Sequence, residues 1–215
     1  PARKPELAKD ERLCADTLAT FEASREEPRA RRYLALALGR FQRKEAVPAL
    51  SVALGDSDEE TRLYAVLALA SIGDPSAAPP LVKLLAAEEP ALRKTAAFAL
   101  GSLRATAALD ALKVTAEDTH LDVALQGALA LAQMGDRSGL PALRKGIDRA
   151  ALGAALEMKP AQTSDAVTRA VQGLVLLRDQ DSLAALERLA REDPDLRVRD
   201  VALRAVETLR APPPR

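Results

Sequence analysis

The sequence predicts an all-α protein, a right-handed α-solenoid (an α-α superhelix) in which helix–turn–helix units of 31 residues stack side by side. Three observations carry this expectation. Leu38, Leu69, Leu100 and Leu131 are spaced by 31 residues, and most of what lies between them repeats as well. A fixed period of about 20–50 residues marks an array whose units bury their apolar faces only against one another. Ala- and Leu-rich runs with helical spacing alternate with short breaks, and there is no β-branched alternating run. The composition suits thin core layers, with 48% hydrophobic residues, 2% aromatic and no Trp.

Each unit has the same parts in the same order. A polar residue opens it at Glu27, Asp58, Glu89 and His120. A first apolar run follows, as in Leu63, Val66, Leu67 and Leu69, or Leu92, Ala96, Ala99 and Leu100. Turn chemistry interrupts it at Gly73-Asp74-Pro75, Arg104-Ala105-Thr106 and Gly135-Asp136-Arg137. A second run closes the unit on Leu50, Leu81, Leu112 and Leu143. Pro48, Pro79 and Pro141 share one repeat position near its start, where a missing N–H has no intrahelical partner anyway.

The chain divides accordingly. Residues 1–25 are expected to be a capping helix or partial repeat, amphipathic on Leu7, Cys14, Leu18 and Phe21. Residues 26–209 form the solenoid, with units starting near 26, 57, 88 and 119, a fifth at about 162–191 and a terminal half repeat. Residues 210–215 end in Pro212-Pro213-Pro214 and read as an extended tail or linker. Between Leu131 and Leu174 the spacing is 43, so about twelve extra residues fall within 148–163. Leu152, Leu156 and Met158 are expected to continue the second helix of repeat four by about three turns before Pro160 and to protrude.

The pattern (acid)-x-x-x-R-x-x-A-x-x-A-L-G-x-(apolar)-G-D-x-x-A-x-P-x-L resembles the HEAT repeat, and within it the short phycobilisome-lyase HEAT-like form. Asp58, Arg62, Ala65, Ala68, Leu69, Ile72, Gly73, Asp74, Pro79 and Leu81 carry the likeness. The resemblance covers roughly residues 26–209 and implies a fold rather than a function, because this repeat serves many unrelated proteins.

Lys and Arg together number 31, as do Asp and Glu, so the net charge is zero. A general nucleic-acid binder shows a basic excess. No apolar stretch approaches the ~20 residues needed to span a bilayer, no targeting segment is visible, and a cytoplasmic location is expected. Cys14 is the single cysteine, so no internal disulfide forms, and its place on an apolar helix face marks it as a small buried hydrophobe. Glu27–Arg31, Asp58–Arg62, Glu89–Arg93 and Asp195–Arg199 are acid-first i,i+4 pairs at helix starts. They serve as local pairs and caps, or as a ladder of arginines between repeats.

No constellation for catalysis is visible. His120 is the only histidine and is expected at an exposed helix start. The iron-binding His-Glu pairs of the deoxyhypusine hydroxylases are missing, since Leu121 follows His120. The aromatic and acidic face of HEAT-like DNA glycosylases is missing too, and Tyr33 and Tyr64 are read as packing residues. No zinc spacing, phosphate loop or nucleophile elbow occurs. The expected molecule is not an enzyme and takes no metal or cofactor.

Binding is expected on the concave surface lined by second helices. Stepping from the leucines of those helices points Lys83, Lys113, Arg144, Lys145 and Arg188 outward as a basic ridge, extended by Arg191. An acidic or amphipathic segment of a protein partner suits it, with Leu152, Leu156 and Met158 adding a second contact. The leading expectation is a scaffold or adaptor. The alternatives are a subunit of a bilin lyase-type complex, implied by the repeat type, and nucleic-acid binding through the ridge.

Overall fold

The computed structural model describes residues 11–149, 152 and 160–212. Among them there are twelve α-helices and no strand. The chain forms two compact units, 1–108 and 109–215.

In unit 1 the helices are α1 (Glu11–Ala23), α2 (Pro28–Phe41), α3 (Val47–Ala53), α4 (Glu59–Ile72), α5 (Ala78–Lys83) and α6 (Pro90–Ser102). In unit 2 they are α7 (Leu109–Thr115), α8 (Leu121–Gln133), α9 (Leu140–Gly146), α10 (Pro160–Leu176), α11 (Leu183–Glu192) and α12 (Leu196–Arg210). The even-numbered helices are the first helices of the repeats and the odd-numbered ones the second. Each second helix packs on the first helix that follows it: α3 on α4, α9 on α10, α11 on α12. Neighbouring first helices pack as well: α2 on α4, α4 on α6, α8 on α10, α10 on α12.

The repeated residues act in their expected places. Leu38, Leu69, Leu100, Leu131 and Leu174 have no exposed surface, nor do Leu50, Leu81, Leu112, Leu143 and Leu186. Gly73 and Gly135 end α4 and α8 with φ of 75° and 79°, the left-handed backbone that glycine adopts without penalty. Gln42, Arg104 and Arg178 take the same role in the other repeats, with φ of 52°, 48° and 49°. The following Asp then turns the chain. Asp74 and Asp136 accept the N–H of Ser76 and Ser138, each at 2.8 Å.

A single 3₁₀ turn leads into each second helix, over Lys44–Ala46, Pro75–Ala77, Thr106–Ala108, Arg137–Gly139 and Gln180–Ser182. Its last residue is small and buried every time: Ala46, Ala77, Ala108, Gly139, Ser182. There is no room for more. A Cβ on Gly139 would stand 2.7 Å from the Ala128 Cα. Pro48, Pro79 and Pro141 lie in the first turn of their helices, as expected.

Arg31 and Arg62 reach the acids of the next repeat, as a ladder requires. Arg31 donates to Asp56 at 2.8 Å, and Arg62 donates to Glu89 at 2.7 Å. Arg62 also donates to the carbonyls of Asp56 and Ser57, Arg93 to those of Ala87 and Glu88, and Arg199 to that of Asp193. Each thereby ties down the chain just before its own helix. Asp58 and Asp195 cap their helices through the N–H of Thr61 and Arg197, whereas Glu27 and Glu89 make no side-chain cap.

Three expectations need correction. Tyr33 is not a packing residue, being 73% exposed, while Tyr64 is half-buried. The second helix of repeat four does not run on toward Pro160, because α9 ends at Gly146 and Asp148 is not helical. A Cβ on Gly146 would meet Leu125 and Ala170, so the chain passes tightly between α8 and α10 there. Leu152 consequently does not protrude. It is fully buried in the core of unit 2, with Leu143, Val167 and Leu186 in the same cluster. Leu156 and Met158 lie outside the described residues.

Candidate functional site

The predicted basic residues occupy two columns that differ in chemistry. One residue past the buried leucine of a second helix come Lys113 and Arg144. Two residues past it come Lys83, Lys145 and Arg188.

The first column reaches forward to the turn of the next repeat. Lys113 lies 3.2 Å from Asp110 and 3.7 Å from Asp136. Arg144 donates to Asp179 at 3.0 and 2.6 Å and to Asp181 at 2.7 Å. Asp136 and Asp179 share the turn position of Asp74. The hydrogen bonds with Arg144 hold the Asp179 carboxyl below the usual carboxylate range despite its burial, and the Ser182 hydroxyl adds to them. Asp136 is lowered first by Ser138. The Lys113 ammonium is raised by Asp110 and then Asp136. These cations are tethers between repeats.

The second column faces solvent. Lys83, Lys145 and Arg188 are exposed and make no ion pair among the described residues, and the same holds for Arg191. Lys83 belongs to unit 1 and the others to unit 2. Uncharged members of this column are exposed as well: Val52 at 75% and Val114 at 73%.

Arg144 and Arg188 come together in a groove of about 540 Å³ in unit 2, between α9 and α11. Ile147, Ala185 and Leu189 give it an apolar floor, and Asp148, Asp181 and Glu192 stand among its polar walls. Arg149, which the sequence did not single out, also lines it. That arginine grips Asp193 at 2.8 and 2.9 Å and donates to Ser164. Asp193 is 4% exposed, so the start of repeat six is anchored to the segment after α9. Half of this pair was legible: Asp193 holds the register position of Asp56 and Asp118, whereas Arg149 lies in the inserted segment and at no repeated position.

The other flagged residues have structural places. His120 is exposed at the start of α8, where the Asp118 carboxylate accepts its backbone N–H at 2.8 Å. Cys14 is buried, which pushes its thiol up. Among the described residues no group of three or more His, Cys, Asp or Glu is placed to hold a metal ion. No helix among them is long and apolar enough to cross a membrane.

This geometry is that of stacked helical repeats, and the model of the family described as HEAT repeats matches residues 17–89 and 78–157. The chain belongs to the HEAT repeat family. No curated protein matches it. Among solved structures, an engineered protein is similar at a TM-score of 0.56 and 19% identity, over 90% of this chain and 96% of that one. The complex of CpcE and CpcF of phycocyanin lyase from Nostoc sp. PCC7120 is similar at a TM-score of 0.56 and 24% identity, over 95% of this chain and 84% of that one. At these identities the likeness is one of fold. The HEAT repeats supply a rigid scaffold for the groove, and its function rests on the side chains that line it.

Proposed function

We propose that this HEAT repeat chain is a non-catalytic, protein-binding scaffold, and that unit 2 takes an acidic segment of a partner protein in the groove between α9 and α11. The division of labour among its cations supports this reading. Arg144 and Arg149 are matched by Asp179, Asp181 and Asp193, and so add little free charge. Arg188 on the groove wall, with Lys145 and Arg191 exposed on the same two helices, keeps its charge unmatched among the described residues. An incoming carboxylate meets those three, while apolar side chains rest on Ile147, Ala185 and Leu189. Charge complementarity of this kind sets specificity and association rate more than raw affinity. A net charge of zero, without the basic excess of a general nucleic-acid binder, favours a protein segment over a nucleic-acid backbone.

The test is calorimetric titration of the full chain with a Glu-rich peptide, beside the Lys145→Glu/Arg188→Glu variant. Both positions are exposed, so the variant keeps its fold. We expect saturable, salt-sensitive binding to the parent and at least a tenfold loss in the variant. Equal binding by the folded variant overturns the proposal. Tighter binding of generic DNA than of the peptide moves the assignment to nucleic acid.

A further inference from the structure

The last turn of the first helices holds one register position that is polar in every repeat but one: Arg40, Ser71, Ser102, Gln133 and Thr208. Leu176 holds it in α10 and is 53% exposed. Packing within the repeat does not call for leucine at a position that water reaches.

Leu176 lines a groove of about 390 Å³ that crosses the first helices of unit 2. Its middle is α10, with Val171 and Val175. One wall is α8, with Leu129 and Gln133, and the other is α12, with Val201 and Ala205. Both wall helices pack on α10, so the groove is complete within these three helices. It shares no residue with the groove between α9 and α11.

Its polar groups describe the occupant. The Oε1 of Gln133 is buried and accepts no hydrogen bond among the described residues. Leaving a buried acceptor unpaired is costly, so the occupant carries a donor. On the opposite wall Arg204 pairs with Asp200 at 3.0 Å, and both side chains are more than half exposed. An exposed i,i+4 pair is held weakly and exchanges for an equivalent one at little cost. This rim carries both signs, so it selects neither a strongly acidic nor a strongly basic partner. A copy of the chain turned about a two-fold axis offers the same pair in reverse order. It also brings Leu176 as apolar filling, and the exposed Gln172 as a donor for Gln133.

We propose that this groove is the interface of a two-fold dimer of the chain. Leu176 of each copy rests on Leu129, Val171 and Ala205 of the other, and Arg204 of each meets Asp200 of the other. Each contact occurs twice, as an isologous interface requires. Three helices about 20–25 Å long at roughly 9 Å spacing present on the order of 600 Å² per copy. A standard stable complex uses about 800 Å² per partner, so the dimer forms reversibly.

The test is sedimentation velocity of the full chain over a wide concentration series. The parent is expected to pass from monomer to dimer and no further. Leu176→Glu is expected to weaken the dimer at least tenfold. Asp200→Arg and Arg204→Asp each set like charges against each other twice, and each is expected to weaken it at least tenfold as well. An equal mixture of those two variants is expected to regain the dimer, because every rim contact between them joins opposite charges again. Circular dichroism checks that all three variants are folded, and Leu176→Glu alone carries the test if a charge variant is not. A parent that stays monomeric throughout overturns the proposal and leaves the groove to another occupant. A folded Leu176→Glu variant that dimerises like the parent, or folded charge variants that fail to pair with each other, overturns it too.

Discussion

Arg144 donates to the buried Asp179 carboxylate through both Nε and Nη2, and so fastens the second helix of repeat four to the turn of repeat five. Asp179 is 1% exposed and also accepts from the Ser182 hydroxyl at 2.6 Å. One carboxylate therefore fixes the turn and the junction together. Asp179→Asn keeps the shape and one acceptor oxygen but removes the charge, leaving Asp181 as the carboxylate that pairs with Arg144. The expected cost is about 2 kcal/mol, the size of a lost buried charge-assisted bond, read as a lower urea midpoint at unchanged slope.

The same carboxyl makes stability depend on pH. Its folded pKa is depressed, chiefly by Arg144. A depressed carboxyl contributes stability that is complete above its unfolded pKa of about 3.9 and disappears as pH falls through the folded value. The gap in unfolding free energy between the parent and Asp179→Asn should stay level near neutrality and narrow below about pH 4. A gap that widens on acidification would show that some other group dominates.

Close packing at the end of the 3₁₀ turns supplies a steric prediction. A Cβ on Gly139 would lie 2.7 Å from the Ala128 Cα and 3.1 Å from its carbonyl, and backbone cannot step aside cheaply. Gly139→Ala should cost about 2 kcal/mol through overpacking. At Gly55 the nearest atom is the Val52 carbonyl at 3.7 Å, so Gly55→Ala is the control, with an expected effect within about 0.5 kcal/mol. Thermal melts of the two variants should separate by several degrees.

How far the sequence foretold these features follows from what repeats and what does not. The helix pairs, the buried leucines, the helix-start prolines and the Gly-Asp turns recur, and each was legible because one physical demand was written several times. Tyr33 misled because its helix comes first. Tyr64, its register mate, has first helices on both sides, and among the described residues Tyr33 has one only on the side of α4. Leu152 misled because an apolar run reads as a helix extension, whereas α9 ends at Gly146 and Leu152 joins the core of unit 2. The split of the basic ridge into tethers and free cations depends on helix rotation against the next turn. Its only sequence trace was the recurrence of Asp74, Asp136 and Asp179.

The turns themselves offer a stabilising change. Arg104 holds φ at 48° where Gly73 and Gly135 hold the same backbone at no cost. Arg104 is exposed and makes no side-chain bond among the described residues, so nothing is lost with it. Relief of the left-handed strain is worth about 1–2 kcal/mol, and the greater freedom of glycine in the unfolded chain offsets about half. Arg104→Gly should raise the melting temperature. Gly73→Ala, where a Cβ meets no atom within 4 Å, should lower it through φ alone. Arg178→Gly should not help equally, because Arg178 also donates to the carbonyls of Leu209 and Ala211.

Among the described residues Arg31 is the most buried cation. Arg31 is 7% exposed and donates to the Asp56 carboxylate at 2.8 Å and to the Phe21 carbonyl at 3.0 Å. Its guanidinium also sits over the Phe21 ring, 4.5 Å from the centroid. One side chain thus links α1, α2 and the loop before α4. Removing it strands Asp56, whose side chain is 13% exposed, beside a core that cannot solvate it. Breaking a buried pair from one side costs about 3–5 kcal/mol, whereas replacing both partners with apolar groups can be close to neutral. Arg31→Met should therefore destabilise unit 1 by about 3 kcal/mol, and Arg31→Met/Asp56→Leu should recover much of the loss. Hydrogen exchange on α1 and α2 distinguishes the two accounts. Recovery of protection in the double variant identifies a stranded charge as the cause. No recovery would instead place the energy in the Phe21 contacts, which both variants lack.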